Sequence, residues 1–263
     1  MNILQITDLH LCEGGAFAFG RADTALSLSR LTDYILSRPF PVDLVAVTGD
    51  ISTDGSADSY RRAFGELQRL QRPFYITPGN HDDREVLLRV YREFCPEQTA
   101  VRWPFYCIEK DEIALAFLDS SSPGQSGGSV SDEGLRALSE AVQRTEKPFL
   151  LFLHHAPFRT GYTVMDEPFP QAERIPEILK ERPGSLICCG HIHAAVLTHR
   201  QGVPVFVCPP AAMLMEFDLS EAGGDAFFLE RPFFALHQVS GAGIVSHIGM
   251  VPASSGDTGP YRF

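Results

Sequence analysis

The sequence predicts an α/β protein with a mainly parallel β-sheet. Three observations lead to this fold class. Short apolar runs, which are typical of buried strands, alternate with longer segments whose apolar residues recur every three or four positions. Glycine and proline separate many of these segments. Polar side chains suited to metal binding follow several strands at their carboxyl ends, which is the edge of an open α/β sheet where ligands bind.

The first half of the chain shows this alternation most clearly. Three strands are predicted there, at residues 2–7, 44–47 and 74–77. Three helices are predicted between and after them, at residues 22–37, 56–71 and 84–94, because their apolar residues fall on one face. Prolines follow the first two helices and end them. Strands joined through helices in this way predict right-handed βαβ units.

The second half begins with a different pattern. Two apolar runs, 105–108 and 113–118, flank four charged residues and predict a β-hairpin. The Ser- and Gly-rich stretch 120–131 predicts a loop, and Asp132 is a candidate N-cap for a helix that ends near residue 145. Further strands are predicted at 149–153, 186–189 and 203–208, with a helix at 173–180.

Beyond Ala211 the pattern weakens. Two antiparallel strands are expected, within 227–239 and 244–251, and a loose tail is expected at 254–263. We therefore divide the chain into a main domain, 1–210, and a C-terminal extension, 211–263. The extension is rich in phenylalanine, and three roles stay open for it: a hairpin that completes the core, a cap over the pocket at the strand ends, and a contact in a homo-oligomer.

The composition excludes several classes of protein. The hydrophobic fraction of 44% is typical of a soluble protein that buries a core. The net charge of −11 counts against a general nucleic-acid surface, which needs a basic field. It does not exclude a small anionic substrate, because a bound metal ion can invert the local field.

The sequence also carries no targeting signal that we recognise. Met1 leads almost directly into a predicted strand, without the basic and apolar regions of a secretory signal. No apolar run reaches about 18 residues, so we expect no membrane span. The six cysteines follow no zinc-finger spacing and are expected to be reduced thiols in a cytoplasmic protein.

Seven candidate metal ligands follow five predicted strands: Asp8, His10, Asp50, Asn80, His154, His191 and His193. In an extended segment, residues two apart point to the same side, so an Asp-x-His or His-x-His pair directs both side chains to one place. Carboxylate, amide and imidazole ligands suit manganese, iron, zinc or cobalt. A carboxylate that lies between two ions, as we expect for Asp50, is typical of a two-metal site.

Each motif alone is weak. A single Asp or Asn at the end of a strand is usually a turn or cap residue, and a single histidine is usually structural. The joint occurrence of all the motifs, in this order and at strand ends, favours a metal centre over these alternatives.

The set of motifs resembles that of the calcineurin-like metallophosphoesterases. Within that family it is most similar to the bacterial class III cyclic-nucleotide phosphodiesterases and the related glycerophosphodiesterases. The resemblance covers about residues 1–200 and rests on Asp8-x-His10, Gly49-Asp50, Gly79-Asn80-His81-Asp82, His154 and Gly190-His191-x-His193. It implies a four-layer α/β/β/α sandwich with a small C-terminal extension.

The resemblance also implies a set of ligands for each of two divalent or trivalent ions. One ion would be held by Asp8, His10, Asp50 and His193, and the other by Asp50, Asn80, His154 and His191. The family often has His-His-Pro-Pro at the fourth motif, where this chain has His154-His155-Ala156-Pro157. We place the ligand at His154, and for His155 a place in the pocket wall and a functional role both stay open.

The activity implied is hydrolysis of a small phosphodiester, such as a cyclic nucleotide or a glycerophosphodiester. A hydroxide that bridges the two ions would attack phosphorus in line with the leaving group. Asn80 and His81 would contact the phosphate, and His81 would stabilise or protonate the leaving oxygen. Asp82 would either orient His81 or a ligand histidine, or cap the helix at 84–94.

Three alternatives remain at this point. A phosphomonoesterase or a nuclease of the same fold would share the metal centre, although the acidic charge counts against a nuclease. A protein phosphatase of this superfamily would have an arginine shortly after Asp50, and the sequence there, Ile51-Ser52-Thr53-Asp54-Gly55, has none. A non-catalytic scaffold would have lost ligands, whereas all seven ligand types are present here.

Overall fold

The computed structural model describes residues 1–39, 41–167, 169–221, 223–229 and 231–252. Within these residues the strands are β1 Asn2–Ile6, β2 Leu44–Thr48, β3 Phe74–Thr77, β4 Phe105–Glu109, β5 Ala114–Leu118, β6 Phe149–Phe152, β7 Leu186–Cys189, β8 Val196–Arg200, β9 Val203–Val207, β10 Leu214–Met215, β11 Phe227–Phe228, β12 Phe233–Ser240 and β13 Gly243–Met250. The helices are α1 Thr24–Leu36, α2 Ala57–Gln68, α3 Arg84–Phe94, α4 Asp132–Arg144 and α5 Arg174–Leu179.

The first sheet has the strand order β13-β12-β1-β2-β3. Strands β1, β2 and β3 are parallel, with Leu4 opposite Val45 and Val47 opposite Ile76. Strand β12 pairs antiparallel with β1, so the β12–β13 hairpin lies in the same sheet as the N-terminal strands. The division of the chain at residue 211 and the cap or oligomer role of the extension stay predictions. The predicted tail, 254–263, lies outside the described residues.

The second sheet has the order β4-β5-β6-β7-β9-β8. Strands β5, β6, β7 and β9 are parallel, and the antiparallel strands β4 and β8 lie at the two edges. The hairpin predicted from the charged residues around 109–112 is the β4–β5 pair. The sequence pattern did not predict β8 or the short antiparallel pair β10–β11.

Alternation along the buried strands explains how the layers stack. Leu150 and Phe152 of β6 pack in the core that also holds β1–β3 and helices α1–α3. The intervening residue, Leu151, faces the opposite way and packs with helices α4 and α5. The sheets therefore lie face to face with helices on both outer sides, and the predicted four-layer α/β/β/α sandwich is confirmed.

The bounds predicted for helix α3 are confirmed, but the candidate N-caps of two helices, α3 and α4, are wrong by one residue. Helix α4 is capped by Ser131, whose side chain accepts a hydrogen bond from the Gly134 amide, and not by Asp132. Helix α3 is capped by Asp83, which accepts hydrogen bonds from the amides of Glu85 and Val86. Asp82 therefore does not cap this helix.

The cysteines and the helices can also be compared with what the sequence predicts. All six cysteines are free, and five of them are buried. Among the described residues, no helix combines the length and the apolar character needed to cross a bilayer.

Candidate metal centre

The predicted ligands lie where strands end in unusual backbone conformations. Asp8, His10, Asp50, His191 and His193 all have positive φ angles, of 54°, 49°, 47°, 70° and 53°. This left-handed region costs an L-residue roughly 1–2 kcal/mol, so the surrounding structure must compensate for it five times over. Such strain concentrates at functional sites, because it directs side chains where a relaxed turn would not.

Two glycines let the chain segments approach closely enough to form the centre. A Cβ atom on Gly79 would lie 2.1 Å from Oδ1 of Asp50, and one on Gly49 would lie 2.4 Å from Nδ1 of His154. Any other residue at these positions would push the side chain of Asp50 or His154 away. The Gly-Asp and Gly-Asn motifs therefore contribute close packing as well as turns.

The structure brings Asp8, His10 and His193 together on one side of the centre. Nε2 of His193 lies 3.4 Å from a carboxylate oxygen of Asp8 and 3.1 Å from Nε2 of His10. One donor atom from each of these three residues lies within 4.8 Å of the other two, so a single ion between them could contact all three. All three residues are buried.

The other side of the centre holds His154, Asn80 and His191. Nε2 of His154 lies 3.2 Å from Oδ1 of Asn80, and the ring centroids of His154 and His191 are 5.2 Å apart. The backbone amide of His191 donates to the Asp8 carboxylate, at 3.2 Å to each oxygen, which links this side to the first.

Asp50 lies between the two sides. Its Oδ2 atom is 3.6 Å from Nε2 of His10 and 3.3 Å from Nε2 of His154. Its Oδ1 atom accepts a hydrogen bond of 3.0 Å from the backbone amide of His81. One carboxylate oxygen therefore faces a histidine from each of the two predicted ligand sets.

Backbone carbonyls set the orientation of two of the histidine rings. Nδ1 of His154 lies 2.8 Å from the Thr48 carbonyl, and Nδ1 of His193 lies 2.7 Å from the Met213 carbonyl. A carbonyl can only accept a hydrogen bond, so each Nδ1 carries the proton. Nε2 then offers its lone pair to the centre in the neutral ring, which is the usual arrangement around protein-bound metals.

The charges of the centre are strongly coupled. Burial would raise the pKa of Asp50, but the neighbouring His154 outweighs burial and holds that pKa well below its usual value. Burial lowers the pKa of His154, yet the Asp50 carboxylate more than compensates and raises it to about 9. For His10 burial dominates, and its pKa falls to about 3. A bound cation would compete with a proton for Nε2 of His154.

Asp82 fixes the backbone beneath the centre. Its carboxylate accepts hydrogen bonds from the amides of Ile51, Ser52 and Gly79, at 2.9 to 3.2 Å. Burial, together with the charge of Asp50, raises its pKa to about 7. Asp82 thus ties the loop after β2 to the loop after β3. Among its described hydrogen bonds none goes to a histidine ring, so the prediction that it orients one is not supported.

Two histidines that neighbour the proposed ligands, His81 and His155, occupy different positions. His81 is half-buried at the mouth of the centre, with Nδ1 3.3 Å from the Thr53 carbonyl and its ring 5.1 Å from that of His10. His155 is buried, and its ring nitrogens lie 3.0 Å from the Ser120 hydroxyl and 3.0 Å from the Ser126 carbonyl.

Phe19 is a neighbour of the centre that the sequence did not reveal. Its ring lies 5.7 Å from that of His10 and 6.0 Å from that of His81. The only local signal is an aromatic residue before Gly20, in a segment without strand or helix periodicity. The carbonyl of Met213, which orients His193, was missed for a similar reason, because a backbone group leaves no mark in the sequence.

Comparison with known proteins gives one family match and several relatives. The family described as calcineurin-like phosphoesterase matches residues 1–195. A protein of Arcobacter nitrofigilis named probable glycerophosphodiester phosphodiesterase GpdQ is 30% identical over 270 residues, which cover 100% of this chain and 97% of the relative. A 3′,5′-cyclic adenosine monophosphate phosphodiesterase, CpdA of Pseudomonas aeruginosa, is 32% identical over 237 residues, covering 87% of this chain and 81% of the relative.

Among solved structures, a dimetal phosphatase from Danio rerio is similar, with a TM-score of 0.64. The similarity covers 97% of this chain and 99% of that one, at 14% sequence identity. At this identity the likeness is one of fold alone.

Proposed function

The chain belongs to the calcineurin-like phosphoesterase family, and from this premise we propose that it hydrolyses small phosphodiesters at a centre of two metal ions. Membership of the family makes it a hydrolase of phosphoric esters. The names of two relatives, a glycerophosphodiester phosphodiesterase and a cyclic-nucleotide phosphodiesterase, support diesters as the substrate class.

The position of Asp50 is the observation that carries the two-metal proposal. Its Oδ2 atom lies within 3.6 Å of both His10 Nε2 and His154 Nε2, so the same oxygen can serve an ion on each side. Nε2 of His10 and Nε2 of His193 lie 3.1 Å apart, and Nε2 of His193 lies 3.4 Å from the Asp8 carboxylate, so these donor atoms converge on one buried position. The donor atoms therefore fit metal ions.

We assign each ion four ligands, with Asp50 shared. The first set is Asp8, His10, Asp50 and His193, and the second is Asp50, Asn80, His154 and His191. Oxygen and imidazole donors without a thiolate suit manganese, iron, zinc or cobalt. When bound, such ions supply positive charge to the phosphate oxygens and lower the pKa of a water so that hydroxide is available near neutral pH.

His81 is the residue we assign to the leaving group. Its Nδ1 proton is directed to the Thr53 carbonyl, which leaves Nε2 as the atom that can reach a substrate. A protonated Nε2 would donate a hydrogen bond, and then its proton, to the departing alkoxide oxygen. The hydrogen bond from the His81 amide to Asp50 holds the ring next to the metal ligands. The side-chain amide of Asn80 can contact the phosphate through its nitrogen while its oxygen faces the centre.

Hydrolysis measured on a panel of esters tests this proposal. Manganese-loaded protein would be given a 3′,5′-cyclic nucleotide, a glycerophosphodiester, an aryl phosphodiester and the matching aryl phosphomonoester, with chelator-treated protein as the blank. We expect the diesters to be cleaved faster than the monoester, and only when metal is bound.

Two results would contradict the proposal. Faster cleavage of the monoester would make the protein a phosphomonoesterase. Two bound metals without cleavage of any ester would favour a scaffold that binds a partner through this face. Titration of bound metal by elemental analysis would separate an inactive protein from one that was never loaded.

A further inference from the structure

A short loop holds Phe19 at the mouth of the metal centre. The loop, residues 11–23, follows the Asp8-x-His10 motif and precedes α1. At its neck Ala18 and Ala22 exchange two backbone hydrogen bonds of 2.9 Å. Both alanines are buried in a small apolar cluster with Ala212 and Met213, and the carbonyl of Met213 is the one that orients His193. The base of the loop is therefore fixed, and its tip is the turn at residues 18–22.

Phe19 lies at that tip, where both its backbone conformation and the exposure of its apolar side chain are unfavourable. Its φ angle is +50°, a region that aromatic residues rarely adopt. Its side chain is 54% exposed, so burial in the core does not repay the strain. A strained aromatic residue that stays exposed beside a reaction centre is more readily explained by a contact with substrate than by stability.

The ring of Phe19 lies beside two histidines: His81, which we assign to the leaving group, and His10, a proposed metal ligand. It is perpendicular to the His81 ring, at 88° and 6.0 Å, and it lies 5.7 Å from the His10 ring. On another side it meets Phe227 of β11, with 6.4 Å between the ring centroids. Phe19 and Phe227 therefore form an apolar wall next to the position that we assign to the leaving oxygen.

We propose that Phe19 determines substrate class by stacking on the base of a nucleotide diester. The proposal rests on the proposed function. In a 3′,5′-cyclic nucleotide the base is attached to the same sugar that carries both ester oxygens, so the base must lie one sugar ring away from His81. An aromatic ring there gains stacking energy from any base. A glycerophosphodiester whose headgroup carries neither an aromatic ring nor a quaternary ammonium group gains nothing comparable.

The chemistry of this apolar wall also determines which substrates it cannot distinguish. Phenylalanine has no hydrogen-bonding group, so it cannot read the edge of a base. We expect adenine and guanine nucleotides to bind with similar affinity. The preference that Phe19 creates is for diesters with a base over diesters without one.

Phe19→Ala tests the proposal, with Phe17→Ala as its matched control. Phe17 lies in the same loop and has the same exposed fraction, 54%, and within the described residues it makes no ring contact with the centre. For Phe19→Ala we expect KM to rise about tenfold for 3′,5′-cyclic AMP and cyclic GMP, since the variant loses the stacking of the base on one aromatic ring. The kcat values, and both constants for a glycerophosphodiester, should stay within about twofold. Phe17→Ala should change none of them.

Two further variants distinguish aromatic stacking on the base from simple exclusion of water by an apolar side chain. Phe19→Leu keeps an apolar side chain without an aromatic face and should resemble Phe19→Ala, whereas Phe19→Trp should restore the low KM. Binding of a non-hydrolysable cyclic nucleotide, measured by calorimetry, should weaken in parallel with the rise in KM. Metal content should equal that of the wild type in all variants.

The proposal is overturned if Phe19→Ala raises KM equally for glycerophosphodiesters, if Phe19→Leu behaves as wild type, or if the metal content falls with the affinity. It is also overturned if the wild type cleaves glycerophosphodiesters but no cyclic nucleotide. Failure of the metal-loaded wild type to cleave any diester would instead refute the proposed function.

Discussion

Buried histidines occupy two regions of this protein, and their surroundings differ. In the metal centre, four histidines converge on two carboxylates, and Nε2 of His10 faces Nε2 of His193 at 3.1 Å. Between the two sheets, His237 of β12 is equally buried but has a complete set of neutral partners. Its Nε2 lies 2.9 Å from Oε1 of Gln5, and its Nδ1 lies 2.7 Å from the Ser246 hydroxyl.

This difference separates a ligand from a structural residue. In the centre, ring nitrogens face one another and the carboxylates, which is the arrangement of donor atoms that surrounds a metal ion. Around His237 each nitrogen is paired with a polar group, and burial lowers its pKa to about 3, which keeps the ring neutral. Burial and residue type are the same in both regions. The partners of the ring nitrogens decide the function.

The largest effect should come from removing the shared charge of the centre. Asp50→Asn keeps the size of the side chain but replaces an anionic oxygen that faces both His10 and His154. We expect loss of at least one metal ion and a fall in diesterase kcat of about a thousandfold, since a metal supplies several kcal/mol of transition-state stabilisation. Metal content by elemental analysis and steady-state kinetics measure the two effects.

Asp119 provides a matched control for Asp50. It is also buried, and it also follows a strand, β5, but its carboxylate pairs with Arg84 at 2.6 Å. Asp119→Asn should lower stability without changing the metal content. Two bound ions and unchanged activity in Asp50→Asn would show that Asp50 does not bridge them.

A smaller effect, but a clearer test of the ligand assignment, is expected from substituting the neighbouring residues His154 and His155. His154 faces Asp50 and Asn80, whereas His155 is bonded to Ser120 and Ser126. His154→Ala should bind one ion instead of two. His155→Ala should keep both ions and lose at most about tenfold in activity, because its ring packs 4.8 Å from that of His154 and 4.6 Å from that of His191 while its described hydrogen bonds go elsewhere. The reverse pattern of stoichiometries would identify His155 as the ligand.

Much of the centre could be predicted from the sequence because it is encoded locally. Asp8-x-His10 and His191-x-His193 each place two side chains by the period of an extended chain, and parallel strands bring their ends to one edge. The structure brings the seven predicted ligands together from the carboxyl ends of strands in both sheets, with four that follow β1–β3 and three that follow β6 and β7. Their assignment to individual ions stays a proposal.

The parts that could not be predicted depend on contacts far apart in sequence or on a choice between neighbours. Asp82 and Asp83 are both plausible caps, and only the position of the loop after β2 determines that Asp82 turns inward. Strand β8 has no strong apolar pattern because it lies at a sheet edge. His237 carries no motif, since its partner Gln5 is 232 residues away.

The contrast between the two buried histidine regions predicts that His237 makes the stability of the protein depend on pH and does not affect its activity. Its folded-state pKa is about 3 and its unfolded value is about 6.5, so between these values only the unfolded chain binds the proton. The contribution of His237 to stability is therefore complete above pH 6.5 and is lost as the pH falls. From pH 7 to pH 5 this loss amounts to about 2 kcal/mol. His237→Gln keeps hydrogen-bonding groups for Gln5 and Ser246 but cannot titrate.

Urea unfolding of metal-free wild type and His237→Gln at pH 7 and pH 5 measures this effect. The other buried histidines titrate in both proteins, so their contribution cancels in the difference. We expect the wild type to lose about 2 kcal/mol more than the variant between the two pH values, whatever the absolute cost of the substitution at pH 7. Metal content and diesterase activity at pH 7 should match the wild type. An equal loss in both proteins would mean that His237 can take up a proton while folded, and the distinction between the two buried histidine regions would then fail.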